Sequence, residues 1–140
     1  MFVVETDIVY AVMKRRDELK GVAKLIFGKS RKLFSSSVAL VEVLSVLKAL
    51  GRFEAVAPKI KALGDLVNLE FLPLTPEMAE KAAGLHIEGR LTFFDSFYAA
   101  TALVLGGTLV SSDEAFRDVP GLKYMHIQEC VSDVLGVRTT

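Results

Sequence analysis

Short apolar runs alternate with helical patterns along this chain, and no other feature of the sequence limits the fold as much. The β-branched run at 2–4 is followed by apolar residues at three- and four-residue steps from 8 to 27, which predicts a buried strand and then one or two amphipathic helices. Further strands are predicted at 69–74, 108–110 and 124–127, and further helices at 38–50, 77–87 and 94–105. Because parallel strands need crossover helices, this order predicts an α/β three-layer sandwich with a mainly parallel central sheet flanked by helices.

Two segments are harder to assign. Serines at 35, 36 and 37 precede the helix predicted at 38–50 and are interpreted as its N-cap candidates, since serine is favoured there. Residues 52–67 are helical in tendency, although Pro58 must lie early in a helix or interrupt it.

The size and composition fit one globular domain spanning 1–140. The chain has 140 residues and is 51% hydrophobic, enough for a single core. Its one cysteine, Cys130, excludes an internal disulfide and a cysteine-based metal cage. Because Glu5 and Asp7 interrupt the apolar N-terminal run, neither a secretory signal nor a membrane span can be drawn, and a cytoplasmic location is expected.

The charge is balanced overall and uneven locally. There are 17 basic and 17 acidic residues, yet the segment 14–32 holds only two acids, Asp17 and Glu18. The same segment holds eight basic residues, namely Lys14, Arg15, Arg16, Lys20, Lys24, Lys29, Arg31 and Lys32. Such a run is either a solvated helix face or a surface that meets phosphates.

Carboxylates follow two of the predicted parallel strands. Glu5 and Asp7 come after the strand at 2–4, and Asp113 comes after the strand at 108–110. The carboxyl ends of parallel strands meet at one edge of the sheet, which is where ligands of open α/β sheets bind. Taken singly, Asp7 and Asp113 could each be a helix cap.

Two more acids lie among apolar neighbours. Glu42 follows VALV, and Asp95 follows LTFF. An unpaired carboxylate is costly to bury, so each must face a cation, a donor or water; a solvent-facing position would explain Glu42 alone, and an N-cap would explain Asp95 alone. Convergence of all these acids on one edge has a single common cause, a divalent cation that holds them ionised. Oxygen ligands without His or Cys favour Mg²⁺ or Mn²⁺ over zinc.

Other side chains suggest no separate chemistry. His86 and His126 lack a second nitrogen or sulfur ligand at metal-site spacing. Phe97 and Tyr98, which closely follow Asp95, are interpreted as packing residues rather than base-stacking platforms.

The block from 94 to 116 resembles the PIN-domain family, the metal-dependent ribonucleases that include the toxins of VapBC toxin-antitoxin pairs. It reads DSFYAATAL, then a glycine-containing turn, then LVSSDEAF, close to the family pattern of Asp, an Ala-rich helix, a strand, Ser or Thr, one residue, and Asp. The Glu42 segment and VVETDIVYAV are similar to the family's acid-bearing helix and opening strand. The resemblance therefore covers nearly the whole chain.

The resemblance implies a PIN-like fold and an endoribonuclease that hydrolyses RNA phosphodiester bonds. It makes Glu42, Asp95 and Asp113 three of the family's four acids and puts the Ser111 hydroxyl near the metal. The first acid departs from the pattern: Glu5 stands where the family usually has Asp, and Asp7 is an alternative metal ligand two residues later.

Chemically, the resemblance implies one or two Mg²⁺ or Mn²⁺ ions that activate water, with Asp95 or Asp113 orienting or deprotonating that water. Single-stranded or looped RNA is the expected substrate, with Lys14, Arg15 and Arg16 as candidate RNA-binding residues. Toxin members imply an antitoxin partner. The apolar surplus of the helices at 38–50 and 94–105, with the family's homodimers, predicts a homodimer.

Two other functions stay open at this point. The substitution of Glu5 for Asp could leave a catalytically weakened PIN-like module that only binds RNA or protein. A phosphoacceptor fold is suggested by Glu5-x-Asp7, but its nucleophile would be Glu5 and no Lys follows a late strand at the required place.

Overall fold

A five-stranded sheet forms the centre of the computed structural model, which describes residues 1–13, 32–65, 68–130 and 132. The strands are β1 (Phe2–Val4), β2 (Leu33–Ser36), β3 (Leu69–Leu72), β4 (Thr108–Ser111) and β5 (Lys123–His126). Their order across the sheet is β3-β2-β1-β4-β5, and every neighbouring pair is parallel. The mainly parallel sheet predicted from the sequence is confirmed.

Helices connect the strands within the described ranges. They are α1 (Thr6–Met13), α2 (Val38–Ala49), α3 (Phe53–Val56), α4 (Pro76–Ile87), α5 (Phe93–Leu105) and α6 (Ile127–Glu129), with 3-10 helices at Ala57–Asp65 and Glu114–Asp118. None of the helices in this part of the chain has the length and apolar character needed to cross a membrane.

Two apolar clusters cover the two faces of the sheet. Successive strand residues point to opposite faces, so Val3 and Val4 of β1 belong to different clusters. The Val4 cluster includes residues of α1 and α2, among them Ile8 and Val43. The Val3 cluster is built largely from α4 and α5. This arrangement is the three-layer sandwich.

The serine run differs from its sequence interpretation. Ser35 and Ser36 lie in strand β2, which the sequence did not predict, and both are buried. The Ser35 Oγ donates to the Val4 carbonyl oxygen at 2.8 Å, and the Ser36 Oγ accepts from the Val38 N–H at 3.1 Å. A polar strand is stable here because its buried hydroxyls are hydrogen-bonded. The cap of α2 therefore comes from Ser36, since Ser37 makes no side-chain cap bond.

Local signals explain most other boundaries. Helix α3 ends at Val56, just before Pro58, and a 3-10 helix follows. Thr75 caps α4 by accepting from the Met78 N–H at 3.2 Å. Helix α5 ends at Gly106, whose φ of 67° is the left-handed conformation that glycine adopts without strain.

Candidate active site at the carboxyl edge of the sheet

The acidic residues come from four elements that meet at the carboxyl edge of the sheet. Glu5 directly follows β1, and Asp113 follows β4, the strand paired with β1 in the register Val4↔Val110. Glu42 lies in the second turn of α2, which begins directly after β2 and Ser37. Asp95 lies in the first turn of α5.

Glu5 occupies the most buried position of the group. Its side chain is only 3% exposed, whereas Asp7 is exposed. Burial raises the pKa of Glu5 well above its usual range, and the charges of Asp7, Asp95 and Glu42 raise it further. One Glu5 oxygen, Oε1, accepts from the Asp7 N–H at 3.1 Å, which opposes the rise. Glu5 therefore lies inside the site and Asp7 at its rim.

Asp95 is half-buried and senses the same charges. The pKa of Asp95 is raised from the ordinary 3.8 to about 6, mainly because the carboxyl is partly buried. A hydrogen bond from Thr92 lowers this pKa, and the charges of Asp113, Glu42 and Asp7 raise it. An N-cap role for Asp95 is wrong: Thr92 is the cap, and its Oγ1 accepts from the Asp95 N–H at 3.4 Å. The structure thus brings the predicted acids close enough to repel one another.

Glu42 is held by two hydroxyl groups. The Tyr98 hydroxyl donates to Glu42 Oε1 at 2.6 Å, and the Thr6 hydroxyl donates to the same oxygen. The two hydroxyls also contact each other. From the sequence Tyr98 was interpreted as a packing residue, although its position one helical turn after Asp95 was a signal that it lies on the same face of the helix.

Asp113 is both a cap and a member of the acidic group. Its Oδ1 accepts from the Ala115 N–H at 2.9 Å, so the cap considered from sequence is present. The buried Ser111 Oγ accepts from the Asp113 N–H at 3.0 Å, and the Ser111 carbonyl accepts from the Tyr124 hydroxyl at 3.0 Å. Ser111 therefore fixes the turn that presents Asp113.

The donor set suits a hard cation. Across the described ranges no Lys, Arg or His forms an ion pair with Glu5, Glu42, Asp95 or Asp113. In that same part of the chain, no three His, Cys, Asp or Glu side chains already surround one point closely enough to enclose a metal. The acids share one neighbourhood without forming a closed coordination shell, and a cation would offset the repulsion that contributes to the raised pKa values of Glu5 and Asp95.

The predicted RNA-binding residues cannot be placed. Lys14, Arg15 and Arg16, with the rest of the basic segment up to Arg31, lie outside the described residues.

Comparison with known families identifies the class of this fold. The sequence pattern of the PIN domain matches residues 2–122, so the chain belongs to the PIN domain family. No curated protein sequence matches the chain.

Solved structures of the same fold include a toxin and two DNA-bound VapBC proteins. VapC20 from Mycobacterium tuberculosis, a sarcin-ricin loop cleaving toxin, is 20% identical with a TM-score of 0.68, covering 84% of this chain and 93% of that chain. VapBC2 from Rickettsia felis, bound to a promoter DNA fragment, is 21% identical with a TM-score of 0.66. The match covers 89% of this chain and 97% of that chain. DNA-bound VapBC from Salmonella typhimurium is 20% identical with a TM-score of 0.66, covering 90% and 97%. At these identities the likeness shows a shared fold.

Proposed function

We propose that this protein is a divalent-metal-dependent endoribonuclease and the toxin of a toxin-antitoxin pair. The observation that carries the proposal is the meeting of Glu5, Glu42 and Asp95 at one sheet edge, where the charge of Glu42 helps to raise the pKa of both other carboxyls and none of the three has a basic partner in the described ranges. Asp113 extends the group from β4. A purely structural role would not leave so much negative charge uncompensated.

The residues that would hold Mg²⁺ or Mn²⁺ are Glu5, Glu42, Asp95 and Asp113, with Asp7 at the rim. When bound, such an ion lowers the pKa of water and stabilises charge on the attacking and leaving oxygens of a phosphodiester. Among the chain's own groups, Asp95 is ionised above a pKa of about 6 and can orient water or accept its proton. Ser111 keeps Asp113 in place for the same task.

The substrate and partners follow from the same site. An acidic site in a chain that also carries a basic segment at 14–32 suits a polyanion, and Lys14, Arg15 and Arg16 are proposed to align the RNA. VapC20, described as cleaving the sarcin-ricin loop, supports looped RNA as the substrate, and the VapBC complexes support an antitoxin partner. A cytoplasmic location fits RNA as the target.

A homodimer is part of the proposal. Val41 of α2 is 60% exposed, Leu50, the residue that follows α2, is 54% exposed, and Leu105 of α5 is 39% exposed. Exposed aliphatic side chains on these two helices support pairing through them.

The test is cleavage of a single-stranded RNA in Mn²⁺ by the wild type, Asp95→Asn and Glu129→Gln. We expect Asp95→Asn to lose about 100-fold or more of the rate, because it removes a carboxylate from the reacting centre. Glu129→Gln is the matched control, since its carboxylate is paired with Arg117 at the surface.

Equal cutting by Asp95→Asn and the wild type would falsify the nuclease assignment. RNA binding without cutting by any of the three proteins would favour the binding-module alternative.

A further inference from the structure

Tyr98 is a core residue whose hydroxyl makes a polar contact outside the core. Its side chain is completely buried in the cluster built from α4 and α5, so the ring provides packing. Its hydroxyl leaves that cluster and donates to Glu42 Oε1 at 2.6 Å, across 56 residues of chain. Phenylalanine would pack equally well, and the hydroxyl therefore has a role that packing does not explain.

Glu42 Oε1 has no capacity left for a cation. A carboxylate oxygen offers about two lone-pair directions, and the Tyr98 and Thr6 hydroxyls both donate to this one. The other oxygen, Oε2, has no hydrogen-bond partner in the part of the chain that the structure describes.

In two further acids, one carboxylate oxygen also accepts a hydrogen bond from the protein. Glu5 Oε1 accepts from the Asp7 N–H, and Asp113 Oδ1 accepts from the Ala115 N–H. Each of these oxygens accepts one hydrogen bond and keeps part of its capacity, whereas Glu42 Oε1 accepts two, so Glu42 is the acid most restricted to a single bond with a cation. Calcium takes about six to eight oxygens and often binds carboxylates through both, whereas magnesium requires a nearly ideal octahedron.

We propose that Tyr98, with Thr6, is a positioning residue that restricts Glu42 to one free oxygen and thereby makes the site prefer small six-coordinate cations over calcium. The inference rests on the cation site of the proposed function. Glu42 is held by two side-chain hydroxyls, whereas Glu5 and Asp113 accept from backbone N–H groups. Substitution of Thr6 or Tyr98 is therefore expected to change the preference of the site for small cations over calcium.

The test is calorimetric titration of the full chain with MnCl₂ and, separately, with CaCl₂. The variants are Tyr98→Phe, Thr6→Val and Thr6→Ser, with Thr101→Val as the matched control. Thr101 is a buried threonine of the same helix as Tyr98, and its hydroxyl donates to the Phe97 carbonyl at 2.8 Å. Melting curves without metal confirm that each variant folds.

We expect Tyr98→Phe and Thr6→Val to weaken Mn²⁺ binding about 10-fold, as loss of a residue that orients a metal ligand does. Ca²⁺ binding should weaken less or improve, because Glu42 gains a second free oxygen, so the ratio of the two affinities falls. Thr6→Ser keeps the hydroxyl and Thr101→Val leaves Glu42 untouched, so both should keep the wild-type ratio.

An unchanged affinity ratio in a folded Tyr98→Phe or Thr6→Val variant overturns the inference. If Tyr98→Phe does not fold, the comparison of Thr6→Val with Thr6→Ser decides. A wild type that binds no Mn²⁺ overturns this inference together with the metal site. A wild type that prefers Mn²⁺ and loses the preference in these variants, yet cuts no RNA, contradicts only the proposed activity.

Discussion

Two groups of carboxylates lie in different regions of the molecule and differ in whether a basic side chain pairs with them. At the surface, Arg117 pairs with Glu114 at 2.6 Å and with Glu129 at 2.9 Å, and its guanidinium lies 4.9 Å from the centre of the Tyr124 ring. At the sheet edge, Glu5 and Asp95 have no such cation in the described ranges. Among the described residues, the surface acids Glu114 and Glu129 are neutralised by an arginine of the chain itself, and the edge acids Glu5, Glu42, Asp95 and Asp113 are not.

The pKa of Glu114 in the surface group and the pKa values of Glu5 and Asp95 in the edge group shift in opposite directions. Hydrogen bonding to Arg117 is the main cause that lowers the pKa of Glu114, whereas burial followed by neighbouring carboxylates raises the pKa of Glu5. A lowered carboxyl pKa indicates a negative charge that is already stabilised in the folded protein, and a raised one indicates a charge that is not. The edge group is therefore the one to which the external cation is proposed to bind.

Removal of divalent cations should produce the largest difference between the two groups. With excess EDTA, RNA cleavage should fall about 100-fold or more, because the edge acids alone cannot stabilise the charge of the reaction, and added Mn²⁺ should restore it. Arg117→Gln should leave the Mn²⁺-supported rate within about twofold, since its partners lie outside the edge group. Equal rates in EDTA and Mn²⁺ would disprove the metal requirement.

The stability of the metal-free protein should report the repulsion at the edge. Asp95 has a pKa of about 6 when folded and an ordinary value of 3.8, so the folded state binds more protons between these values and stability falls as pH rises through them. The full shift corresponds to about 3 kcal/mol, and partial contact with water reduces this to about 1 to 2 kcal/mol.

Asp95→Asn should therefore unfold at higher urea than the wild type at pH 7 in EDTA and should lose this part of the pH dependence. Near pH 3 the two proteins should have similar stability. With saturating Mn²⁺ at pH 7 the wild type should instead be more stable than Asp95→Asn, because only the wild type keeps all the proposed metal ligands. A destabilised Asp95→Asn in EDTA would show that Asp95 is compensated in the folded protein.

The edge group was largely predictable because its positions depend on local signals. The apolar run before Glu5 predicts β1, and the Gly106-Gly107 stop after α5 predicts the start of β4, so the acids that follow these strands could be assigned to one edge. Strand β2 was missed because Ser35 and Ser36 are polar, and their suitability for a buried strand depends on the Val4 carbonyl, a partner distant in sequence.

The pairing of Tyr98 with Glu42 was missed for a related reason. Helical spacing put Tyr98 near Asp95, but the direction of its hydroxyl depends on how α5 packs against α2. A long-range hydrogen bond of this kind has no signature in local periodicity. The cap at Asp113 was also undecided from the sequence, because a cap and a metal ligand require the same residue type at the same place.

The smallest effect on stability should come from removing the surface ion pairs of Arg117 with Glu114 and Glu129. The three side chains are each about half exposed to solvent, and ion pairs of this kind contribute little to stability. Arg117→Gln should therefore lower the melting temperature by less than about 2 °C, and the difference should shrink further in 0.5 M NaCl because salt screens exposed pairs. Mn²⁺ should raise the melting temperature of Arg117→Gln as much as that of the wild type. A lost Mn²⁺ response in Arg117→Gln would show that the two groups of carboxylates are coupled, and the contrast between them would then fail.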